Sequence, residues 1–432
     1  MSDSILAPDV RLTPYWWDET PCRRADTAIP RSVDVVVVGA GYTGLSAALT
    51  LARAGRSVLV LDSEEPGSGG ASRNQGQMGA VLKRSFSDLA ASYGREKALA
   101  VYREGQAAIA YTQSLIESEQ IACHLALCGR FVGAYRSADY EALAAELEVL
   151  KRELGFEADM VPKSEQHHEV GSDFYFGGQV RHRDALLDPA RYHRGLLDRA
   201  ASAGALVAGH APATAIASEP GRFRVTTPRG AVEARDVVIA TNGYTGAVTP
   251  ALRRRVIPVG AYIIATEPLA PERIARLLPK ARCMHDTRKL IHGIRLTPDR
   301  TRILFGGRAS LAETDARVTA PRLYARMVRI FPDLDGVRIT HSWMGYVAFT
   351  FQNLPHIGKR DGLHYVLGCC GSGIAMGTYL GHKAALRILG EREAATAFDD
   401  LPFETRPFYD GRPWFLHATL AHYRLKDALP RR

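Results

Sequence analysis

The sequence predicts a mixed α/β fold in which a βαβ unit is interwoven with a second, strand-rich region. Residues 34–38 read DVVVV, a β-branched strand that is apolar on both faces, as a central parallel strand is. Residues 43–54 then have helical composition, and residues 57–61 (SVLVL) form a second buried strand. Residues 255–310 are rich in strands, and the chain has no repeats or long linkers. This alternation indicates two domains built from interleaved segments.

The remaining segments give simpler patterns. Residues 1–30 contain Trp16 and Trp17 without periodicity, which predicts an extended arm docked on the body. Helices are predicted at 97–119, 140–155, 189–203 and 320–330, with a last helix that ends near Leu389. Short strands are predicted at 205–207, 223–226, 236–240 and 364–368.

The composition is that of a globular protein. Of the 432 residues, 46% are hydrophobic and 23% charged, which argues against disorder. No stretch approaches the roughly 18 to 20 apolar residues of a membrane span, and the first nine residues lack the pattern of a signal peptide. The net charge of +9 is dispersed, and its densest run, residues 253–255, has no interleaved aromatic residues. Nucleic-acid binding is therefore not expected.

The six cysteines bear on location and metal binding. They form no CxxC pair and no metal-ligand spacing with histidine. We therefore expect reduced thiols, no bound metal and a cytoplasmic protein. The adjacent Cys369 and Cys370 could form a vicinal disulfide, but buried small side chains are the preferred interpretation.

A glycine turn is the first motif with chemical content. Residues 39–44 read GAGYTG, directly after the first buried strand and at the start of a helix. Gly39 permits the tight turn, Gly41 lets the backbone approach a pyrophosphate at the helix N-terminus, and Gly44 lets helix and strand pack closely. The cofactor-binding positions predicted here are Gly39, Gly41, Tyr42, Thr43 and Gly44.

An acid in the expected place supports a dinucleotide site. Asp62 ends the second strand 18 residues after Gly44, where a carboxylate binds a ribose hydroxyl, and Ser63 follows as a further contact. A glycine turn alone is weak evidence for a dinucleotide site. Here the turn lies between two buried strands, which makes the evidence specific. FAD and NAD both remain open at this point.

A polar loop (residues 69–77, GGASRNQGQ) favours FAD. NAD does not need such a loop, whereas a flavin needs small residues and amide hydrogen bonds beside its ring. The loop resembles that of the D-amino-acid oxidase family, which includes glycine and sarcosine oxidases, and is most similar to the γ-glutamylputrescine oxidase branch, where it runs approximately GASGRNGGQ. The resemblance implies FAD-binding positions at Ser72, Arg73, Asn74, Gln75, Gly76 and Gln77.

A third motif lies near the C-terminus. Residues 343–350 (WMGYVAFT) lead to 353–358 (NLPHIG) and then to 368–376 (GCCGSGIAM) and a helix. In the family this arrangement closes the FAD site, and the positive end of the helix faces the flavin pyrimidine. The resemblance implies further cofactor contacts at Gly371, Ser372, Gly373, Ile374 and Ala375.

The resemblance covers about residues 30–395 and implies an architecture. Family-like segments in the middle add cofactor contacts at Ala213, Ala240, Thr241 and Gly243. The implied fold is a Rossmann-like FAD-binding domain of the glutathione-reductase type, interwoven with a strand-rich substrate domain. The expected boundaries are 1–30 for the arm, 31–90, 165–250 and 335–395 for the FAD-binding domain, 91–164 and 251–334 for the substrate domain, and 396–432 for a C-terminal tail.

Four departures from the family pattern bear on the chemistry. Gly345 stands where sarcosine oxidases have the cysteine that carries the flavin, so the FAD is expected to be non-covalent. Ala375 stands where those enzymes have a lysine that binds the substrate carboxylate, which favours an amine or another carboxylate geometry. Asp62 replaces the commoner Glu, and Gln75 replaces a glycine.

Three of the four candidate residues on the substrate side belong to one segment, KLIHGIRL (residues 289–296); the fourth is Tyr346. His292 and Ile294 share a face of this strand, and the matching strand of glycine oxidases carries polar residues over the flavin, so His292 is the first candidate. Arg295 either binds a carboxylate or anchors the hairpin. Lys289 is a candidate cation for O₂ reduction, and Tyr346 a candidate wall of the pocket.

The resemblance implies an FAD-dependent oxidoreductase that oxidises the CH–NH bond of an amine or amino acid. A hydride passes to flavin N5, leaving an imine, and O₂ then takes the electrons and forms hydrogen peroxide. The main alternative is a dehydrogenase of the same fold that uses a protein or quinone acceptor; an NAD-linked enzyme and a non-enzymatic flavin-binding scaffold are the others. The expected partners are a small-molecule substrate and an electron acceptor, and a homo-oligomer is also open. Polyamine derivatives, opines or imino-diacids, and D-amino acids are all open as substrates.

Overall fold

The computed structural model describes residues 5–428, so residues 1–4 of the predicted arm and 429–432 of the predicted tail lie outside the described chain. Its helices are α1 (Tyr42–Arg53), α2 (Gly70–Arg73), α3 (Phe86–Tyr93), α4 (Arg95–Ser118), α5 (Ser137–Leu154), α6 (Pro189–Ser202), α7 (Pro250–Arg253), α8 (Pro271–Leu277), α9 (Ala316–Ile330), α10 (Gly373–Leu389) and α11 (Leu416–Ala428). None of these helices has both the length and the apolar composition needed to cross a bilayer.

The strands form two large sheets and one small one. They are β1 (Leu6–Arg11), β2 (Ser32–Val38), β3 (Val58–Leu61), β4 (Gln77–Met78), β5 (Arg130–Gly133), β6 (Ala158–Val161), β7 (Gly178–Arg181), β8 (Ala185–Leu186), β9 (Leu206–Ala208), β10 (Ala215–Glu219), β11 (Arg222–Thr227), β12 (Gly230–Ile239), β13 (Ile257–Thr266), β14 (Cys283–Asp286), β15 (His292–Leu296), β16 (Ile303–Gly307), β17 (Ile339–Phe349), β18 (His356–Arg360) and β19 (Leu363–Leu367). The small sheet pairs β4 with β8.

The eight-stranded sheet has a parallel centre. Strands β9, β3, β2, β12 and β19 pair side by side in parallel, and β10 and β11 extend the first half of β12 as an antiparallel meander. The four consecutive valines at the end of β2, residues 35–38, are buried, as the DVVVV run predicts. The βαβ unit formed by β2, α1 and β3 is the one expected from the sequence.

Helices α1 and α10 pack closely on this sheet because glycines remove the side chains between them. A Cβ on Gly381 would overlap the carbonyl oxygen of Thr43, and one on Gly377 would lie 2.9 Å from Thr43 Oγ1. Strand β2 leads into α1 and β19 leads into α10, so both helices start at the carboxyl edge of the parallel strands. Ligands of doubly wound sheets bind at this edge.

The nine-stranded sheet has the order β1-β17-β13-β16-β15-β14-β5-β7-β6 and is mostly antiparallel. One face packs against α9 through Leu323 and Met327. On the other face, Ile263 of β13 and Trp343 of β17 pack against Trp16 of the arm. Strands β1, β7 and β17 come from segments assigned above to the arm and to the FAD-binding domain. The strand order thus shows which segments share this sheet, and the expected domain boundaries stay a prediction.

The C-terminal helix α11 docks on the nine-stranded sheet. Leu416 and Leu420 form a small apolar cluster with Leu290. The carboxylate of Asp427 accepts hydrogen bonds from the backbone N–H groups of Lys289 (2.9 Å) and Leu290 (3.0 Å). The predicted tail thus contains a helix that covers the segment before β15.

Candidate active site

Each glycine of the 39–44 turn faces a different environment. Gly39 has φ +109°, and a Cβ there would lie 2.7 Å from the carbonyl oxygen of Ala240. A Cβ on Gly44 would overlap the carbonyl oxygen of Gly39, so helix α1 and the turn require glycine at both positions. A Cβ on Gly41 would instead have only Ala71 Cβ nearby, at 3.9 Å. Gly41 therefore faces open space at the start of α1.

Asp62 is tied to this turn. Its Oδ2 accepts a hydrogen bond from the backbone N–H of Ala40 at 2.8 Å, and its Oδ1 accepts one from Glu64 N at 3.2 Å. Burial raises the pKa of Asp62 above its ordinary value, although the backbone N–H groups of Ala40, Glu64 and Ser63 oppose the shift. The carboxylate thus lies beside the free N–H groups at the start of α1, which have no acceptor within the helix.

The polar loop is held by its own side chains. Ser72 Oγ donates to Gly67 O at 2.6 Å, and Asn74 Nδ2 donates to the carbonyl oxygen of Ala71 at 2.8 Å while its Oδ1 accepts from Gly76 N at 2.7 Å. Further hydrogen bonds fix the loop to its surroundings. Tyr42 OH donates to Ala71 O, and Arg73 donates to Ser68 O and Met344 O. The side-chain amides of Gln75 and Gln77 donate to the carbonyl oxygens of Gly293 and Ile294. The loop shape is therefore determined by protein contacts, which leaves backbone groups to meet a ligand.

The N-terminal arm holds the polar loop from outside. Trp16 Nε1 donates to Asn74 O at 2.9 Å, and Trp17 Nε1 donates to Ser72 Oγ at 2.7 Å. The guanidinium of Arg73 lies 4.6 Å from the ring centroid of Trp17. The arm, as far as the structure describes it, thus docks on the polar loop through both tryptophans.

The third motif also leaves room for a ligand. Helix α10 starts at Gly373 with Ser372 as its N-cap, and a Cβ on Gly371 or Gly373 would meet no heavy atom of the described chain within 4 Å. Ile374 and Ala375 are buried in the first turn. A Cβ on Gly345 would lie 3.1 Å from Arg73 Cβ, so the position without a cysteine is close against the polar loop.

The end of β12 links the glycine turn to β17. Ala240 N donates to Val38 O at 2.8 Å. Thr241 Oγ1 lies 2.8 Å from Thr245 Oγ1, and a Cβ on Gly243 would lie 3.1 Å from Tyr346 Cβ. Beyond β9, Ala211 N donates to the carbonyl oxygen of Asp62, and the half-buried Ala213 follows two residues later.

These segments together fit a dinucleotide. The starts of α1 and α10 supply N–H groups and positive helix ends for phosphates and an electron-rich ring. Gly41, Gly371 and Gly373 leave space where any side chain would project, and Asp62 retains lone pairs for a ribose hydroxyl. The predicted cofactor positions at the two helix starts, in the polar loop and after β12 are therefore brought to one edge of the sheet.

The structure does not bring His292 to the polar loop. A Cβ on Gly293 would overlap Oε1 of Gln75, so Gly293 faces the loop, and neighbouring side chains of a strand point to opposite faces. The ring of His292 instead stacks on Phe305 with centroids 5.2 Å apart, and its Nε2 lies 3.4 Å from Arg326 Nη1. The face of β15 that carries His292 therefore packs against α9, and a role of His292 over the flavin stays a prediction.

Arg295 binds backbone carbonyls. Its Nη1 donates to Gln75 O (2.8 Å) and Leu187 O (2.7 Å), and its Nε donates to Leu296 O (2.8 Å). The guanidinium is buried and lies 5.1 Å from the ring centroid of Trp16, and burial lowers the pKa of Arg295 to about 10. These bonds favour the anchoring role over the carboxylate-binding role.

Lys289 and Tyr346 differ in their surroundings. The side chain of Lys289 is exposed, and its backbone N–H donates to the carboxylate of Asp427. Tyr346 is half-buried, and its carbonyl oxygen lies 3.2 Å from where a Cβ on Gly70 would be. Burial raises the pKa of Tyr346, so its hydroxyl stays protonated at neutral pH. Tyr346 therefore adjoins the polar loop, and Lys289 faces solvent.

Two residues beside the site carry no motif in the sequence. The ring of Tyr244 covers Gly69, whose Cβ would lie 3.2 Å from Cε2, and meets the ring of Tyr346 edge-on at 5.5 Å. Lys83 is exposed, yet desolvation by surrounding atoms and the nearby charge of Lys289 lower its pKa; Cys370 is a further titratable neighbour. The only sequence signal for either residue is its position a few residues after a predicted cofactor segment.

The two cysteines of the third motif are buried, unpaired thiols. Cys369 and Cys370 are free and buried, and burial raises the pKa of each to about 12. Cys370 Sγ lies 3.0 Å from the carbonyl oxygen of Gly368. Because both thiols are protonated near neutral pH, they act here as small buried side chains.

Comparison with known proteins agrees with this geometry. A family model described as "DAO: FAD dependent oxidoreductase" matches residues 34–387. The chain is 32% identical over 404 residues to gamma-glutamylputrescine oxidoreductase of Escherichia coli (strain K12), covering 92% of this chain and 93% of that protein. It is 26% identical over 365 residues to glycine oxidase of Bacillus licheniformis, covering 83% and 93%. The crystal structure of glycine oxidase from Geobacillus kaustophilus matches with a TM-score of 0.73 at 21% identity, covering 88% of this chain and 99% of that chain, which confirms the fold class.

Proposed function

The chain belongs to the family of FAD-dependent oxidoreductases, and we propose on this premise that it oxidises the CH–NH bond of a small-molecule amine by hydride transfer, with O₂ as the final acceptor. One observation carries the proposal: the starts of α1 and α10 meet the polar loop at one sheet edge, and their glycines leave space for a ligand. Activity as an amine or amino-acid oxidase or dehydrogenase is common to the named relatives.

The cofactor would be held mainly by backbone groups. Bound FAD supplies a hydride acceptor that can return electrons to O₂. The N–H groups at the start of α1 would bind its phosphates, Asp62 a ribose hydroxyl, and the polar loop and the start of α10 its ring. The absence of a thiol at Gly345 supports a non-covalent cofactor.

The substrate side needs orientation and exclusion of water more than acid–base chemistry. If the amine enters in its neutral form, no protein base has to remove a proton before the C–H bond breaks. Tyr244 and Tyr346 form an aromatic surface beside the polar loop, and α11 covers the segment before β15. These groups would hold the carbon of the amine in place and keep solvent from the reacting atoms.

The test is purification followed by a spectrum and a substrate screen. We expect a yellow protein whose colour is released by acid or heat, and flavin absorbance that disappears on anaerobic mixing with an amine substrate. The rate of that reduction should rise with pH as the substrate amine loses its proton. Colourless protein that binds no added FAD would refute the proposal, and a reduction rate independent of pH between about 6 and 10 would refute transfer from the neutral amine.

The electron acceptor and the substrate are settled by two arms of the same screen. Peroxide formation during turnover supports the oxidase, whereas turnover only with a quinone or dye acceptor supports the alternative dehydrogenase. The name of the E. coli relative makes γ-glutamylputrescine the first amine to test, with imino-diacids and D-amino acids as comparators. We also propose a cytoplasmic location, supported by the six unpaired cysteines of the described chain.

A further inference from the structure

Two cysteines from distant parts of the chain meet at the start of β14. Cys283 is the first residue of β14, and Cys128 lies two residues before β5, the parallel neighbour of β14. The side chains of the two cysteines are hydrogen-bonded to each other. Both sulfur atoms also lie near the carbonyl oxygen of Gly129, at 3.4 Å from Cys128 Sγ and 3.6 Å from Cys283 Sγ. Cys128 and Cys283 therefore form an adjacent thiol pair.

The surroundings of Cys128 favour its thiolate. The hydrogen bond from Cys283 lowers the pKa of Cys128 to about 6, and the guanidinium of Arg295 acts in the same direction, while desolvation opposes the shift. Burial and the same hydrogen bond raise the pKa of Cys283 well above its ordinary value. At neutral pH one sulfur of the thiol pair is thus an anion, and the other carries the proton between them. The thiolate is the form of cysteine that attacks oxidants.

Cys128 is also within reach of solvent. Its side chain is half-buried and follows the exposed residues Ala126 and Leu127, whereas Cys283 is fully buried. Burial raises the pKa of the other four thiols, those of Cys22, Cys123, Cys369 and Cys370. Among the six cysteines of the described chain, Cys128 thus combines access with thiolate character. It is the thiol that a small oxidant should attack first.

The thiol pair lies on the face of the nine-stranded sheet that meets the polar loop. Strands β14 and β15 pair Met284 with Ile294, which places Cys283 opposite Arg295. Met284 and Ile294 belong to the core that packs under α9, so Cys283 and Arg295 point to the other face. There Arg295 donates to Gln75 O of the polar loop at 2.8 Å. The pair therefore adjoins the arginine that anchors the loop.

Backbone hydrogen bonds give a second link from the thiol pair to the polar loop. Ala126, two residues before Cys128, exchanges backbone hydrogen bonds of 2.8 and 2.9 Å with Leu186 of β8. Leu186 pairs in turn with Gln77, the last residue of the polar loop, across the small sheet of β4 and β8. A displacement of the segment that carries Cys128 is therefore transmitted through two rows of hydrogen bonds to the loop.

We propose that Cys128 and Cys283 are a peroxide-reactive modification site, and that the disulfide they form loosens the polar loop around the flavin. A disulfide holds its sulfur atoms about 2.05 Å apart, so the segment that carries Cys128 has to move towards β14. Disulfides of this kind are transient in reducing compartments and serve as redox sensors there. The inference rests on the proposed oxidase activity for its oxidant, because that reaction forms hydrogen peroxide.

The oxidation takes two electrons from the thiol pair. The Cys128 thiolate attacks one oxygen of hydrogen peroxide, the O–O bond breaks, and a sulfenic acid and a hydroxide ion form. The sulfur of Cys283 then attacks the sulfur of Cys128, the S–O bond breaks, and the oxygen leaves as water with the proton of Cys283. The hydroxide ion takes a proton from solvent. Two thiols and one peroxide thus give one disulfide and two water molecules.

The first test maps the oxidation in the reduced, flavin-loaded protein. Hydrogen peroxide is added, the remaining thiols are alkylated, and the disulfides are located by mass spectrometry. We expect a disulfide between Cys128 and Cys283 that dithiothreitol reverses, while the half-buried Cys22 stays a thiol. Cys283→Ala should stop at a sulfenic acid on Cys128, which dimedone traps, and Cys128→Ser should give neither product. Oxidation of Cys22 before Cys128, or no disulfide within the thiol pair, would overturn the proposal.

The second test measures the effect on the flavin site. Release of FAD is followed by its fluorescence before and after peroxide treatment. We expect the disulfide to speed release from the wild type by about 10-fold, because the displaced loop loses hydrogen bonds to its ligand. Cys128→Ser should release FAD at the same rate with and without peroxide, and the control Cys22→Ser should respond like the wild type. Unchanged release from the oxidised wild type, or equal acceleration in Cys128→Ser, would refute the link to the polar loop.

Added peroxide separates failure of this inference from failure of the proposed function, because it needs no turnover. A disulfide between Cys128 and Cys283 in a protein that oxidises no tested amine would support the thiol pair and count against the proposed function alone. In an active oxidase the same disulfide should form during amine turnover in air, and catalase should prevent it. Disulfide formation that catalase leaves unchanged would overturn peroxide as the oxidant.

Discussion

Asp62 accepts a hydrogen bond from the backbone N–H of Ala40, so the acid that ends β3 is fixed to the turn that starts α1. The bond spans two strands that lie next to each other in the parallel sheet. It holds the carboxylate beside the free N–H groups of the helix start. The acid thus has two roles, one in the shape of the turn and one proposed for the ribose of the cofactor.

We expect Asp62→Ala to weaken FAD binding by about 10-fold or more, because it removes a charged acceptor of the ribose and loosens the turn. Asp62→Asn keeps an oxygen for the Ala40 N–H and should weaken binding less. The measurement is titration of the apoprotein with FAD, followed by flavin fluorescence. Unchanged affinity in Asp62→Ala would contradict the proposed ribose contact.

The glycines at positions 41 and 44 should fail in different ways. A Cβ on Gly44 overlaps the carbonyl of Gly39, so Gly44→Ala should destabilise the apoprotein by about 1 to 3 kcal/mol. Gly41 has room for a Cβ in the protein alone, so Gly41→Ala should leave apoprotein stability nearly unchanged and weaken FAD binding. Urea denaturation of the apoproteins and FAD titration measure the two effects.

The control for both glycine variants is Gly246→Ala. Gly246 has no positive φ, and a Cβ there meets no heavy atom of the described chain within 4 Å. This variant should keep both stability and FAD affinity. If Gly41→Ala bound FAD like the control, the pyrophosphate could not lie against this helix start.

The cofactor side of the fold could be predicted because its signals are local. The strand, the turn at Gly39, the helix and Asp62 follow one another within about 30 residues, and each has a steric or hydrogen-bonding reason to be there. The structure brings the polar loop and the start of α10 to the same edge because parallel strands end together. The family resemblance, and not the glycine pattern of residues 368–376 by itself, implied this placement of α10.

The substrate side depends on long-range contacts and could not be predicted in the same way. Alternation along β15 shows that His292 and Ile294 share a face, but it does not show which face meets the cofactor. The contact between Gly293 and Gln75, more than 200 residues apart, decides that point. The thiol pair likewise joins β14 to the segment before β5, so no local pattern marks it.

The buried tryptophan of the arm should matter for stability. Trp16 is 1% exposed, packs against Trp343 and donates to Asn74 O in the polar loop. We expect Trp16→Ala to lower the free energy of unfolding by about 3 to 5 kcal/mol and to weaken FAD retention, because a cavity opens behind the loop. Trp414→Ala, at a 66% exposed ring, is the matched control and should change stability by less than about 1 kcal/mol. Equal stability losses in the two variants would show that the arm does not support the site.

A buried histidine beside the glycine turn should make stability depend on pH. His193, on α6, is 4% exposed, and its Nε2–H donates to the carbonyl oxygen of Ala40 at 2.7 Å. Burial lowers the pKa of His193 from 6.5 to about 4; the hydrogen bond to Ala40 O and the nearby Asp198 oppose this shift, while Arg194 adds to it. The folded protein therefore keeps this ring neutral at pH values where the unfolded chain protonates it.

The sign of the effect follows from proton binding. Between about pH 6.5 and pH 4 the unfolded chain binds more protons at this position than the folded protein. The free energy of unfolding is therefore highest, as far as His193 contributes, above pH 6.5, and it decreases as the pH falls towards 4. The shift corresponds to about 3 kcal/mol at the acid end. His193→Gln keeps a side-chain N–H for Ala40 O but cannot titrate, so its stability relative to the wild type should rise as the solution is made more acidic. Urea denaturation of both proteins at pH 7.5, 6 and 4.5 measures this difference, and a gap that stays constant across the three values would contradict a neutral, buried His193.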